Sequence, residues 1–354
     1  MPRRLIYHLL FIFFISVIIF SCSRYVVDVS HPALQDGKYD SSFPIGSDDR
    51  ALERVVESVR LVNASAQFKR YYFSREQDMR IQNLTPDIFK QHQGEAEIIT
   101  DFVVGTATII YADKRRLAVL SCAHVVDFPD TLIDYYLNAD GTESDIISSV
   151  ALKTRQKIHL SDLRQGEDVK ILAIDRENDL VILGKEFLFP PSQALPVFPC
   201  PLGSAKELNW GNFVYIIGFP AGKKMITRGI ISDPDRGPQH GFLLDALFNR
   251  GMSGGIVLAI RDGIPNFELV GIVNSVAADT EVRIFPQSDY DRSMVDTNIP
   301  YTGNLYLRSY RKINYGICFG ISIETIQEFI EKNRGNLENA GFKMERFWSS
   351  EYTG

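Results

Sequence analysis

From residue 103 to residue 321 the chain breaks repeatedly into short apolar runs, rich in β-branched and aromatic residues and punctuated by Gly, Pro, Asn and Asp. Runs this short cannot complete an amphipathic helical face, so they read as strands bounded by turns. The candidates are 103–111, 117–121, 169–174 and 180–183, then 213–218, 225–232, 242–244, 255–260, 269–274 and 316–321. With almost no helical periodicity between them, they predict an all-β sandwich or a pair of barrels. Pro190-Pro191-Ser192-Gln193 divides the runs into two groups and marks a seam.

Two helices flank the strands. Leu52, Val55, Val56 and Val59 fall at i, i+3, i+4 and i+7 behind Asp48 and Asp49, which predicts a short amphipathic helix with acids at its start. Ser322 caps a second helix running to Asn333, with Ile323, Ile326, Phe329 and Ile330 on its apolar face and Gly335 as its stop. No internal repeat or low-complexity tract interrupts this plan. A chain that is 45% hydrophobic and 11% aromatic is not predominantly disordered. Its net charge of -6, with no block of Lys or Arg, leaves no electrostatic footprint for nucleic acid.

The first residues bear on compartment. Arg3 and Arg4 precede an almost wholly apolar stretch at residues 5–20, which is short for a membrane span of roughly 20 residues. A basic start followed by such a run fits a secretory signal at 1–21. Ser21-Cys22 then resembles the processing site of a bacterial lipoprotein, in which the cysteine is lipidated. Phe20 departs from that pattern, and an uncleaved signal anchor is the alternative. Either way the reading is a membrane-tethered, periplasm-facing protein of the bacterial cell envelope. Loss of 1–21 takes the net charge to -8, and residues 22–47, with Pro, Gly, Ser and Asp and little periodicity, read as a tether. Cys122, Cys200 and Cys318 are odd in number and lack zinc spacing, so free buried thiols are expected.

Three motifs carry chemistry. Asn249-Arg250-Gly251-Met252-Ser253-Gly254-Gly255 sets a serine in a glycine turn before a strand. Glycines permit dihedrals that bring the amides of Gly251 and Ser253 to one point, as an oxyanion hole requires. Ser121-Cys122-Ala123-His124 places a histidine just past a strand, and Asp175 to Leu183 places Asp179 at the mouth of another. Singly, each has a plain reading as a turn, a packed histidine or a turn acid. Together they supply nucleophile, base and orienting carboxylate, in the order His, Asp, Ser used by trypsin-like double barrels. No metal or organic cofactor is required by that chemistry. The Ala221-Gly222-Lys223-Lys224 segment lacks the spacing of a phosphate loop, and no H-E-x-x-H occurs.

These segments resemble the protease domain of HtrA/DegP-type trypsin-like serine peptidases. The likeness runs through Gly105-Thr106-Ala107, His124, Asp179, Val214 to Gly222, Thr227 to Ser232, Asp245 to Gly255, Gly271 to Asn274 and Gly316 to Ile321. It covers roughly residues 100–333 and implies two six-stranded antiparallel β-barrels with the catalytic residues between them. The domain would span 48–333, with barrels at about 55–190 and 195–333 and a tail at 334–354. By the same resemblance Leu247, six residues before Ser253, would floor the primary specificity pocket, and Asn274 would contact substrate. Trimers are common among such relatives.

The departures also matter. Met252 stands where Asn or Asp is usual and Ile256 where Pro is common. Only 21 residues follow Asn333, too few for the PDZ domain of the group. Residues 277–313 form an extra segment of 37 residues with Tyr290, Tyr301, Tyr306 and Tyr310, which would border the specificity pocket or decorate the surface. The leading expectation is a serine endopeptidase acting on polypeptides, in protein quality control. The alternative is a protease-like module that binds peptides without cleaving them.

Overall fold

The computed structural model describes residues 35–44, 49–92, 94, 96–138, 142–161, 163, 168–191, 195–235, 241–286 and 305–348. The chain divides into two units between Asp36 and Gly37, and of the first only Gln35 and Asp36 are described. The signal segment and Cys22 therefore lie outside the described residues. No helix among the described residues is long and apolar enough to cross a membrane.

The second unit is all-β, in two parts. After helix α1 (Asp49–Ser58), the first part holds β1 (Val59–Tyr72), a short helix α2 (Pro86–Gln91), β2 (Glu97–Ala112), β3 (Arg116–Cys122), β4 (Thr131–Leu137), β5 (Glu143–Leu160), β6 (Lys170–Asp175) and β7 (Leu180–Glu186). They form one seven-stranded antiparallel sheet in the order β4-β5-β1-β2-β3-β7-β6. The second part holds β8 (Phe213–Gly218), β9 (Met225–Asp233), β10 (Phe242–Ala246), β11 (Ile256–Ile260), β12 (Phe267–Pro286) and β13 (Leu305–Ser322), closed as the six-stranded barrel β10-β13-β12-β11-β8-β9. The expected pair of all-β halves is present, and the closed six-stranded barrel is the second half. The first half departs from the expectation. It has seven strands, because β5 carries β4 as an additional edge strand, and among the described residues a bond from Val169 N–H to Ile158 O leads from β5 toward β6.

Three of these strands, β1, β4 and β5, were not among the sequence candidates. β1 does alternate, burying Val62, Ala64, Ala66 and Phe68 against outward Asn63, Ser65 and Gln67. Its buried face is half alanine, too weak a signal beside the helix pattern it follows. Val59, read as the last helical residue, opens this strand.

The C-terminal helix α3 (Ile323–Lys332) has the expected cap, with Thr325 N–H donating to Ser322 Oγ. Gly335 does not stop it. The break falls at Asn333, and Gly335 lies inside a further short helix, α4 (Arg334–Asn339), which precedes α5 (Glu345–Trp348). Residues 334–348 are therefore part of the body: Leu337, Phe342, Met344 and Phe347 are buried, and Phe342 meets Tyr111 of β2 edge-on at 5.9 Å. The end of the expected tether is also docked. Tyr39 is buried, Asp40 N–H donates to Ile260 O, and Phe213 N–H donates to Asp40 O. Of the extra segment, 277–286 and 305–313 simply prolong β12 and β13 as a paired hairpin, from Ala278 opposite Ile313 to Pro286 opposite Leu305.

One apolar core runs through both parts, including Val119, Leu120 and Leu183 from the sheet and Val257, Leu258 and Ile272 from the barrel. Cys122, Cys200 and Cys318 are all buried within it. The core therefore fixes the loops where sheet and barrel meet.

Candidate active site

His124 lies in a tight turn (Ala123–Val125) directly after β3, and Asp179 immediately precedes β7. Because β3 and β7 are neighbours, with Cys122 opposite Leu180, the two residues are brought together by sheet register. Ala123 N–H donates to Asp179 O at 3.1 Å and His124 N–H to Asp179 Oδ1 at 2.8 Å. The other carboxylate oxygen, Oδ2, faces His124 Nδ1 at 2.6 Å. An ionised carboxylate only accepts, so Nδ1 carries the proton and Nε2 presents a lone pair.

The turn before Asp179 is built to hold it. Asp175 Oδ1 accepts from the amides of Glu177 and Asn178, and Oδ2 accepts from Asn178 Nδ2. Burial works against ionising Asp175, yet these bonds hold its carboxyl below the usual range. Asp179 itself has φ +54, a left-handed conformation that Asp tolerates better than most residues.

The serine turn is pinned from both parts of the fold. Thr106 of β2 is its hub. Thr106 N–H donates to Ser253 O at 2.7 Å, Thr106 Oγ1 donates to Gly251 O at 2.7 Å and accepts from Phe219 N–H at 2.9 Å, and Thr106 O accepts from Ser121 Oγ at 2.7 Å. From the barrel, Val273 O accepts from Gly254 N–H and Val273 N–H donates to Gly255 O, both at 2.7 Å. Gly254 needs its missing Cβ: φ is +85, and a methyl group there would lie 2.1 Å from Thr106 O.

Within this turn the amides of Arg250, Met252, Gly254 and Gly255 all donate to protein acceptors. Those of Gly251 and Ser253 have none among the described residues. Arg250 O accepts from Ala221 N–H at 2.7 Å, so the planar peptide directs Gly251 N–H the opposite way. Two neighbouring donors without protein acceptors suit an anion that forms only during a reaction. Ser253 is nine-tenths buried, and its Oγ makes no hydrogen bond among the described residues.

Cys122 joins the two groups. Its thiol is fully buried, donates to Val273 O at 3.5 Å and lies beside Asp179 and Gly254. Burial first, and then the Asp179 charge, push its pKa well up. Donor atoms of Cys122, His124 and Asp179 lie within 4.8 Å of one another, a spacing that a metal could bridge. A metal there would have to break the His124–Asp179 bond and ionise a thiol that burial keeps protonated, so this donor set fits hydrogen bonding better than ligation.

The structure thus brings His124, Asp179, Gly251 and Ser253 to one junction. Asn274 follows Val273 directly and lines a cavity of about 330 Å³ with Asn178, Phe242 and Phe319. Leu247 is corrected. It is 76% exposed just after β10, and a side chain so solvated cannot floor a pocket. Sequence reasoning gave no role to Thr106, Cys122 or Asp175, although each lay inside a quoted motif. A larger cavity, about 410 Å³, is lined by Arg54, Pro201, Arg261 and Glu268 and shares no residue with this junction.

Comparison with known proteins bears on the same residues. Solved structures include Deg5, at 18% identity over 64% of this chain and 83% of that one, with a TM-score of 0.36. Another is a scabies mite inactivated protease paralogue, S-I1, at 13% identity over 75% of this chain and 95% of that one, with a TM-score of 0.31. Comparison with curated proteins finds no match. The family model for the trypsin-like peptidase domain matches residues 105–272, and so takes in Thr106, His124, Asp179, Gly251 and Ser253 and ends just before Val273. Residues 105–272 thus match a trypsin-like peptidase domain, which supports a serine-type peptidase at the level of the family.

Proposed function

We propose that the protein is an active serine endopeptidase that cleaves unfolded or exposed polypeptide segments while tethered at an envelope membrane. The observations that carry the reading are the bond that fixes the His124 tautomer against Asp179 and, apart from it, a serine turn whose Gly251 and Ser253 amides have no protein acceptors among the described residues. Ser253 Oγ attacks the substrate carbonyl as its proton passes to His124 Nε2, and Asp179 stabilises the imidazolium through Nδ1. The two amides receive the oxyanion. The tetrahedral intermediate then collapses, its C–N bond breaks, and His124 returns the proton to the departing amine. Water, deprotonated by the same histidine, hydrolyses the acyl-enzyme and regenerates the serine.

The tether rests on the sequence alone, through a signal at 1–21 with lipidation at Cys22. Mass analysis of the N-terminal peptide from the membrane fraction, beside Cys22→Ala, distinguishes a diacylated cysteine from an uncleaved anchor. The buried, unbonded Ser253 hydroxyl favours a second reading, a peptide-binding module whose serine is not engaged. A fluorophosphonate probe separates the two. Under the peptidase reading the unaltered protein labels and Ser253→Ala does not, at equal thermal stability. Lack of labelling in the unaltered protein, or peptidase activity persisting in pure Ser253→Ala, would sink that reading.

A further inference from the structure

The seven-stranded sheet turns one face to the core and the other away from it. In β1 the alternation is plain: Val62, Ala64, Ala66 and Phe68 are buried, while Asn63 and Gln67 are exposed and Ser65 is half-buried. Residues directly opposite one another on paired strands share a face, so register carries the outward face onto β2 on one side and β5 on the other. Phe102, Ser65 and Lys157 form one row across the three strands, Thr100, Gln67 and Arg155 the next, and Ile98 lies opposite Lys69.

These rows are polarised. At the β2 end Phe102 is 76% exposed and Ile98 56% exposed. At the β5 end, two strand spacings or about 10 Å away, stand Arg155 and Lys157. No acid pairs with Lys69, Arg155 or Lys157 among the described residues. The acids of β2, Glu97 and Asp101, are odd-numbered and fall on the opposite face. Neither cavity described above includes a residue of this face, so it offers breadth without a pocket. A chain of net charge -6 thus carries a cationic row beside an exposed apolar edge. Such a pattern matches hydrocarbon beneath anionic headgroups, a partner that has extent but no sequence to be read.

We infer that the outward face of β2, β1 and β5 docks on an anionic lipid bilayer, with Phe102 and Ile98 entering the interface and Lys69, Arg155 and Lys157 meeting the headgroups. The inference rests on the proposed envelope tether for its membrane and takes nothing from the catalytic chemistry. Under that reading residues 23–36 join Cys22 to the unit that begins at Gly37, and 14 residues span at most about 50 Å, which keeps the bilayer within reach. Thr106 lies four residues along β2 from Phe102, about 14 Å of strand. Docking therefore holds the serine turn close over the membrane surface, where the polypeptides it meets are those at or leaving the bilayer.

The test uses the full-length protein reconstituted with vesicles of brominated phosphatidylcholine, alone or mixed with phosphatidylglycerol. The indole of Phe102→Trp is the probe, read against the background of Trp210 and Trp348 in the unaltered protein. Bromine should quench it in the anionic vesicles and leave it bright in the neutral ones, and raised salt should relieve the quenching. Each cation near an anionic surface strengthens docking about 5-fold, so adding Arg155→Glu and Lys157→Glu should weaken it about 25-fold or more and abolish the quenching at unchanged Tm. Anionic vesicles that carry the protein without quenching the probe would overturn the docking and leave the tether standing. Equal quenching in neutral vesicles, or quenching that survives charge reversal, would overturn it too. So would binding of poly-glutamate to a protein whose probe no lipid quenches, by giving the face to an acidic chain. A protein that neutral vesicles fail to carry loses its tether, and quenching in anionic vesicles then judges the face alone. Fluorophosphonate labelling, measured in parallel, tests the peptidase reading separately from the probe.

Discussion

Thr106→Val removes one oxygen and keeps the shape of the side chain. The hydroxyl donates to Gly251 O at 2.7 Å and accepts from Phe219 N–H at 2.9 Å, in a residue fully buried. Valine meets neither need. Each lost bond is worth about 1 kcal/mol net, and each buried partner left unpaired costs about 1–3 kcal/mol, so the variant should lose roughly 2–4 kcal/mol. For a domain of this size that is a fall in Tm of roughly 5–10 °C. Activity should fall further than stability implies, because Gly251 loses the bond that fixes its carbonyl. Loss of one oxyanion donor costs about 10²-fold, and fluorophosphonate labelling should slow by that order. Thr106→Ser keeps the hydroxyl and should restore most of both. A Thr106→Val protein with unchanged Tm and labelling rate would refute the idea that Thr106 holds the turn.

Two further outcomes follow from the same geometry. Gly254→Ala forces a methyl group to 2.1 Å from Thr106 O at φ +85, so the turn must move; labelling should vanish while circular dichroism still reports a β fold. Asp175→Asn tests the turn behind Asp179. Because the Asp175 carboxyl is held below its usual range, its contribution is complete above the unfolded-state pKa and disappears as pH falls through the folded one. The Tm difference between native and Asp175→Asn proteins should therefore be largest near neutrality and close in acid. A difference that widens in acid would refute the assignment.

Much of this was legible in the sequence, for identifiable reasons. The barrel strands β8, β11 and β12 carry continuous apolar runs because both faces or their ends are buried, and His124, Asp179 and Ser253 lie at strand boundaries marked by Gly, Asn and Asp. β1 and β5 hid because their sheet faces are covered by small or mixed side chains such as Ala64, Ala66 and Ser149, which carry little hydropathic signal. Thr106 and Cys122 could not be assigned because their roles come from partners more than a hundred residues away, at Gly251 and Val273. Leu247 failed for another reason: spacing from Ser253 locates a backbone position, and it does not decide which way a side chain faces.

The distribution of ties on the serine turn also orders events in time. Thr106, His124 and Asp179 are in place on a growing chain well before Ser253 has been made, and Val273, which fastens Gly254 and Gly255, comes later still. The last stave of the barrel, β13, ends only at Ser322. Under the proposed peptidase reading, a nascent chain would hold base and acid without a nucleophile, then a nucleophile on an unfastened loop. The cutting edge would be assembled last, when little unfolded chain of its own remains to be cut.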